Sequence, residues 1–251
     1  MSLVNYATRE ITFKIVYYGP GRSGKTTNLH YIYGQVPDDR KGKMVSLATQ
    51  TDRTLFFDFL PLDLGSISGF TTKFQLYTVP GQVYYQATRK LVLQGADGVV
   101  FVADSQARQL QENIESFQDL HANLGEQGVD VRAVPLVIQY NKQDLPPDLI
   151  LTTDELSDAL NFRGVPEFAA DALHGPGVFE TLRGISELVL KRLSAGAASA
   201  AARDVKLAPA SRSCCVLSSA SSGGAQRPTT ICRSGFLCSP KARGSSCLRP
   251  A

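Results

Sequence analysis

The chain has 251 residues, 43 % of them hydrophobic, enough for one sizeable core. No apolar run approaches the ~18 residues of a membrane span, and Met1–Asn5 lacks the charged and apolar parts of a signal peptide, so the chain reads as cytoplasmic with no stable membrane insertion. The net charge of +3 averages a body, residues 1–193, with 18 basic and 22 acidic side chains, and a tail, residues 194–251, with eight basic and one acidic; the acidic body excludes the basic signature of a nucleic-acid binder.

The first predicted element is a strand over Ile11–Gly19, rich in β-branched and aromatic residues. Next comes Gly19-Pro20-Gly21-Arg22-Ser23-Gly24-Lys25-Thr26, which fits G-x-x-x-x-G-K-[ST], the phosphate-binding P-loop. Lys25–Tyr33 then continues as a helix. A loop between a strand end and a helix N-terminus turns unpaired N–H groups and the positive end of the helix dipole toward an anion. Gly19, Gly21, Arg22, Ser23, Gly24 and Thr27 are the cradle candidates. Lys25 is expected to reach the β- and γ-phosphates and the Thr26 hydroxyl to ligate Mg²⁺.

Ser46–Thr54 reads as a switch segment. It needs a threonine that completes the Mg²⁺ shell and senses a γ-phosphate. Thr54 is the choice, with Thr51 and Thr49 behind it, and Arg53 is a candidate arginine finger in cis. Leu55–Phe59 and Thr72–Tyr77 read as a paired antiparallel edge. Thr78-Val79-Pro80-Gly81-Gln82 follows; it resembles the D-x-x-G-Q segment of Ras-like GTPases. There Gly81 offers its N–H to the γ-phosphate and Gln82 orients the attacking water. Thr78 replaces the aspartate that supports the metal, so weaker support is expected. Tyr84 and Tyr85 fit either an interface or the core.

A helix over Tyr84–Gln94 precedes the apolar strand Gly98–Asp104, and a helix over Gln109–Leu124 precedes the apolar strand Val134–Tyr140. Such continuous runs suit central parallel strands covered on both faces. Asn141-Lys142-Gln143-Asp144 ends the second strand at the carboxyl edge, where α/β sheets bind ligands. This is N-K-x-D, the guanine-reading motif. Asp144 accepts from guanine N1–H and its amine, Lys142 lies along the base, and Asn141 ties this loop to the P-loop. A helix over Thr153–Leu160, a strand over Val165–Phe168 and a helix over Val178–Leu193 complete a three-layer α/β domain. Ala170–Leu173 stands where the similar Ras-like GTPases carry an S-A-K loop, and that resemblance implies a contact from the Ala172 backbone N–H to guanine O6. After Leu193 the chain turns rich in Ala, Ser and Gly and is expected to be disordered. The tail holds all five cysteines, with no C-x-x-C pair to suggest zinc.

The chain resembles the MglA family of bacterial Ras-like small GTPases over residues 1–193. The resemblance rests on Asn5–Ile11, Lys14–Gly21, Thr51–Leu62, Tyr77–Gln82, Asp97–Ser105 and Gln139–Lys142. It implies a P-loop G domain with a mostly parallel sheet, an antiparallel edge and helices on both faces. It implies a slow GTP/GDP switch with Mg²⁺ that governs gliding motility and cell polarity from a cell pole. The implied partners are a dimeric roadblock activator resembling MglB, GTP-dependent effectors and an exchange factor. The resemblance gives the hydrolytic role to Arg53 and Gln82, and the Thr-Val-Pro-Gly-Gln segment is characteristic of the family. Two other readings stay open: a non-hydrolysing nucleotide-binding scaffold, which Thr78 would suit, and a P-loop small-molecule kinase, which N-K-x-D opposes. His30, His121 and His174 are too scattered to suggest a metal site.

Overall fold

The computed structural model describes residues 3–5, 7–46, 57–67, 69–82 and 85–206. The elements are β1 (Leu3–Asn5), β2 (Glu10–Tyr18), α1 (Lys25–Gln35), β3 (Val45–Ser46), β4 (Asp58–Ile67), β5 (Phe70–Thr78) and α2 (Gln86–Leu93). They continue with β6 (Gly98–Asp104), α3 (Leu110–Glu126), β7 (Leu136–Asn141), α4 (Thr153–Leu160), β8 (Glu167–Ala169) and α5 (Val178–Lys206). The eight-stranded sheet runs β3-β4-β5-β2-β6-β7-β8, with β1 antiparallel to β2. Its centre is parallel, and β3-β4-β5 form the antiparallel edge.

Alternation along β2 builds both halves of the core. Phe13, Ile15 and Tyr17 pack with Leu29 and Ile32 of α1 and Leu182, Ile185 and Val189 of α5. Val16 and Tyr18 face the other way, with Val92 and Leu93 of α2, Phe117 and Leu120 of α3 and Leu156 of α4. On that face Phe101 meets Phe117 edge to face at 4.8 Å between ring centroids, the geometry that aromatic quadrupoles favour. Helices therefore cover both faces, and every residue of β6 and β7 is buried. This explains the apolar runs Val99–Ala103 and Leu136–Ile138 within them. A capping box, Thr152 with Glu155, fixes the start of α4.

Most boundaries lie within two residues of the sequence reading, and two differ by more. The edge strand opposite β5 begins at Asp58 and runs to Ile67, through Pro61 and Gly65. Its register pairs Phe59 with Tyr77 and Leu62 with Phe74, then shifts between Asp63 and Ser66. The Pro61 carbonyl accepts from the Gly42 N–H at 2.9 Å, on the side away from β5, so the ladder to β5 loses no donor at the proline; glycine suits the irregularity, where Gly65 has φ 93°. The last helix does not stop at Leu193 but continues to Lys206. Its Ala-rich end has the highest intrinsic helix propensity, so the expected loss of structure at Ser194 is not found there. Residues 207–251 lie outside the described residues, as does the question of their disorder.

Candidate functional site

The P-loop leaves β2 and enters α1 over two glycines with positive φ. Gly19 has φ 146°, and a Cβ there would fall 2.2 Å from the Val102 carbonyl oxygen. Gly24, φ 98°, is the N-cap of α1, and a Cβ there would fall 2.1 Å from Asn141 Nδ2. Both positions therefore need glycine. No side chain caps α1 among the described residues, and its first turn carries no acidic residue. Its end opens on a cavity of about 930 Å³ lined by Gly21, Lys25, Thr26, Gly81, Gln82 and Leu173, among others. A helix end of this kind favours an anion.

The structure brings most of the expected phosphate residues to that cavity. Gly21, Arg22, Gly24, Lys25, Thr26, Thr27, Gly81 and Gln82 line it, while Ser23 is fully buried beneath the loop. Gln82 is exposed at its mouth. Arg53, Thr54, Thr51, Thr49 and Tyr84 lie outside the described residues.

Lys25 is buried, and its Nζ donates to the carbonyls of Gly19 at 3.0 Å and Pro20 at 2.6 Å. Burial, and then the like charge of Arg89, pull its ammonium down to about 7, against the pull of Asp58. An unfolded lysine titrates near ~10.4. Between these values the unfolded chain holds the extra proton, so this group's contribution to stability is present above the unfolded value and is lost as pH falls toward 7. A phosphate beside the ammonium would restore the charged form. GDP binding at pH 8 is therefore expected to take up about one proton, and at pH 6 almost none. Calorimetry in two buffers of different ionisation heat measures this; no uptake at pH 8 would contradict the assignment.

Beside Thr26 stands a carboxylate that the sequence reading did not single out. Asp58, fully buried on β4, accepts from Thr26 Oγ1 at 2.7 Å, from Thr78 Oγ1 at 2.9 Å and from Ser46 Oγ. Thr78 Oγ1 also accepts from the Asp58 N–H at 2.8 Å. The carboxylate missing from position 78 is thus supplied by the neighbouring strand, where antiparallel pairing sets Asp58 next to Thr78. The expectation of weakened support at Thr78 left this out. A hydroxyl and a carboxylate together are the hard oxygen donors that suit Mg²⁺. A signal was present: Asp58, Leu60 and Leu62 share the inward face of one strand, and all are buried, whereas aspartate is rarely buried without a partner.

The base-side loop joins the phosphate side directly. Asn141 Nδ2 donates to the Ser23 carbonyl at 2.7 Å, and Asn141 Oδ1 accepts the Ala172 N–H at 2.9 Å. The Ala172 N–H expected to serve guanine O6 is thus engaged by Asn141. Lys142, with φ 73°, reaches Asp104 at 2.5 Å, and the two line a smaller cavity of about 290 Å³ with Arg22 and Arg108. Asp144 is exposed. Its carboxylate, that of Asp171 and the His174 ring offer atoms within 4.8 Å of one another. Asp171 accepts from the Leu173 and His174 N–H groups at 2.9 and 3.1 Å, and its other oxygen meets His174 Nδ1 at 2.5 Å. Although burial alone would raise the Asp171 pKa, His174 and these two backbone donors hold it below the usual aspartate value. His174 thus stands in the base-side loop beside Asp171 and Asp144.

A model of the ADP-ribosylation factor family matches residues 2–187. The mutual gliding-motility protein MglA of Myxococcus xanthus is 59 % identical over 196 residues, covering 78 % of this chain and 100 % of that protein. The ADP-ribosylation factor-like protein 6 of Caenorhabditis briggsae is 25 % identical over 185 residues, 71 % of this chain and 87 % of that protein. Its Caenorhabditis elegans counterpart is 25 % identical over 183 residues, 70 % and 86 % respectively. With its P-loop, its N-K-x-D loop and its mostly parallel sheet, the chain belongs to the ADP-ribosylation factor family as a small GTPase of the MglA type.

Proposed function

We propose that the chain is a GTP/GDP switch whose γ-phosphate-dependent surface recruits partners for cell polarity and gliding motility. The observation that carries this reading is the hydrogen bond from Asn141 to Ser23, 2.7 Å long, which fastens the guanine-reading loop to the phosphate loop. The motility role draws support from the name of the Myxococcus xanthus relative. In this reading the protein acts in the cytoplasm, at a cell pole. A dimeric roadblock-type activator, effectors and an exchange factor are its partners.

The residues divide the work. The N–H groups at the start of α1 and the Lys25 ammonium bind the phosphates. Thr26, with Thr54, would hold Mg²⁺, and Asp58 would orient that shell through the Thr26 hydroxyl and bound water. The metal, when bound, neutralises charge on the β- and γ-oxygens. Gln82 holds a water in line with the γ-phosphorus, and Arg53 balances the negative charge that develops. The water oxygen bonds to the γ-phosphorus as the bridging bond to the β-phosphate breaks, and both of the water's hydrogens leave on the phosphate product, one on the new hydroxyl and one transferred to a γ-oxygen.

The test is GTP turnover by the full chain, alone and with a roadblock-type dimer. Slow turnover is expected alone and faster turnover with the activator, and Gln82→Ala should cut the stimulated rate at least ~10-fold. Tight GTP binding without turnover in either condition would favour the scaffold instead.

A further inference from the structure

Among the described residues the largest fully buried side chain is a charged one, Arg89 on α2, at 2 % exposure. A guanidinium is expensive to bury and needs all its donors matched. Arg89 Nε donates to the Pro80 carbonyl at 2.8 Å, Nη2 donates to the Gly81 carbonyl, and Nη1 donates to Asp119 Oδ2 at 2.7 Å. Asp119, on α3, is itself held. It accepts from the Tyr18 hydroxyl, from Asn123 Nδ2 at 3.1 Å and from Gln86 Nε2 at 3.1 Å. The Tyr18 ring centroid lies 5.5 Å from the guanidinium carbon. One fork thus grips two successive carbonyls of the segment that carries Gly81 and Gln82, and ties them to α3.

That segment is pressed onto the P-loop. A Cβ built on Gly81 would lie 2.4 Å from both the nitrogen and the Cα of Gly21, and 2.6 Å from the Pro20 carbonyl carbon. Backbone therefore meets backbone at Gly81 and Gly21, on the wall of the cavity that Lys25 also lines. A hydrogen bond to a phosphate oxygen needs an N···O distance near ~2.9 Å, with the phosphorus beyond it. A γ-phosphate that takes a hydrogen bond from the Gly81 N–H depends on where that peptide sits, and any shift of the Pro80–Gly81 peptides disturbs both carbonyls that Arg89 holds.

We propose that Arg89, anchored by Asp119, is a positioning residue that holds Gly81 against the P-loop and so sets the preference of the site for GDP over GTP. The proposal rests on the reading of Gly81 as the γ-phosphate contact. Arg89 is not among the described residues that line the cavity; it acts through the two carbonyls. Breaking the grip favours the nucleotide whose γ-phosphate depends on where Gly81 sits and leaves the shared diphosphate contacts alone. A purely structural role would weaken both nucleotides together.

The experiment measures GDP and GTPγS affinities of the full chain as native protein and as Arg89→Lys, Asp119→Asn and Tyr18→Phe. Arg89→Lys keeps the charge beside Asp119 and loses the fork. Asp119→Asn loses the charged anchor. The affinity ratio of GTPγS to GDP is expected to rise about tenfold in these two variants, within the usual range of coupling between sites, with GDP affinity nearly unchanged. Tyr18→Phe removes one donor to Asp119 and keeps the ring, so a smaller rise is expected. It decides the matter if the other two do not fold. A ratio that stays at the native value, or falls, in folded variants overturns the proposal. Hydrogen exchange of residues 79–82 in the native protein separates the two ideas. Equal protection with GDP and GTPγS overturns the Gly81 reading and this proposal with it. Different protection with an unmoved ratio overturns the role of Arg89 alone.

Discussion

Asp144→Asn is expected to lower GDP affinity on the order of a thousandfold and to make xanthosine diphosphate the better ligand. The carboxylate offers only acceptors, and guanine presents two donors on the matching edge, N1–H and the exocyclic amine. Each hydrogen bond to a charged group contributes ~1.5–3 kcal/mol, and the amide in the variant turns a donor toward the guanine amine. Xanthine carries a carbonyl where guanine carries that amine, so the amide can donate to it and still accept from N1–H. The exposed position of Asp144, beside Asp171 and His174 in the base-side loop, leaves the fold untouched by the change. Fluorescent GDP and xanthosine diphosphate titrations measure both affinities. GDP binding that stays within about tenfold of native would mean that another group reads the base.

The second large effect is expected at Asp58. Asp58→Asn keeps the shape of the side chain and removes the charge to which the Thr26, Thr78 and Ser46 hydroxyls donate. Groups that orient a metal ligand typically contribute 10- to 100-fold to metal affinity, so GDP release in Mg²⁺ should accelerate by about that factor. Chelation of Mg²⁺ should then add little. Asp58→Ala is the poorer test, because it strands buried hydroxyls and destabilises the edge of the sheet. Thr78→Asp in the Asp58→Asn background returns a carboxylate to the adjacent strand and should restore part of the Mg²⁺ dependence. If the release rate of Asp58→Asn keeps its native response to chelator, the carboxylate is structural and the metal is held without it.

The sequence made the nucleotide site readable where its demands are local. Gly19 and Gly24 are forced by backbone geometry within a single loop, and the apolar runs of β6 and β7 state their own burial. Asn141 could be assigned to the P-loop because the motif carries that geometry with it. What stayed hidden depends on pairing between distant segments. Asp58 and Thr78 are 20 residues apart, and only the register of β4 on β5 brings them together. Pro61 and Gly65 argue against a strand when read along the chain, yet the edge position and the irregularity accommodate both. Arg89 reads as a cation on an amphipathic helix, because nothing in α2 alone announces Asp119 on α3 or the carbonyls of Pro80 and Gly81. Ala172 was placed correctly in its loop, but its N–H partner, Asn141, comes from another strand. The Ala- and Ser-rich run after Leu193 reads equally as low complexity and as good helix, and as far as Lys206 it is helix.

The bond between Asn141 and Ser23, with Gly24 shaped to admit the Asn141 amide, fastens the two recognition loops to each other. A nucleotide therefore behaves as a bidentate ligand. Once either its base or its diphosphate has docked, the other end faces its own loop at an effective concentration in the millimolar range or above. Guanosine and pyrophosphate supplied as separate molecules should each bind feebly, and the pair together should fall far short of GDP, because the advantage resides in the 5′-ester bond that joins them.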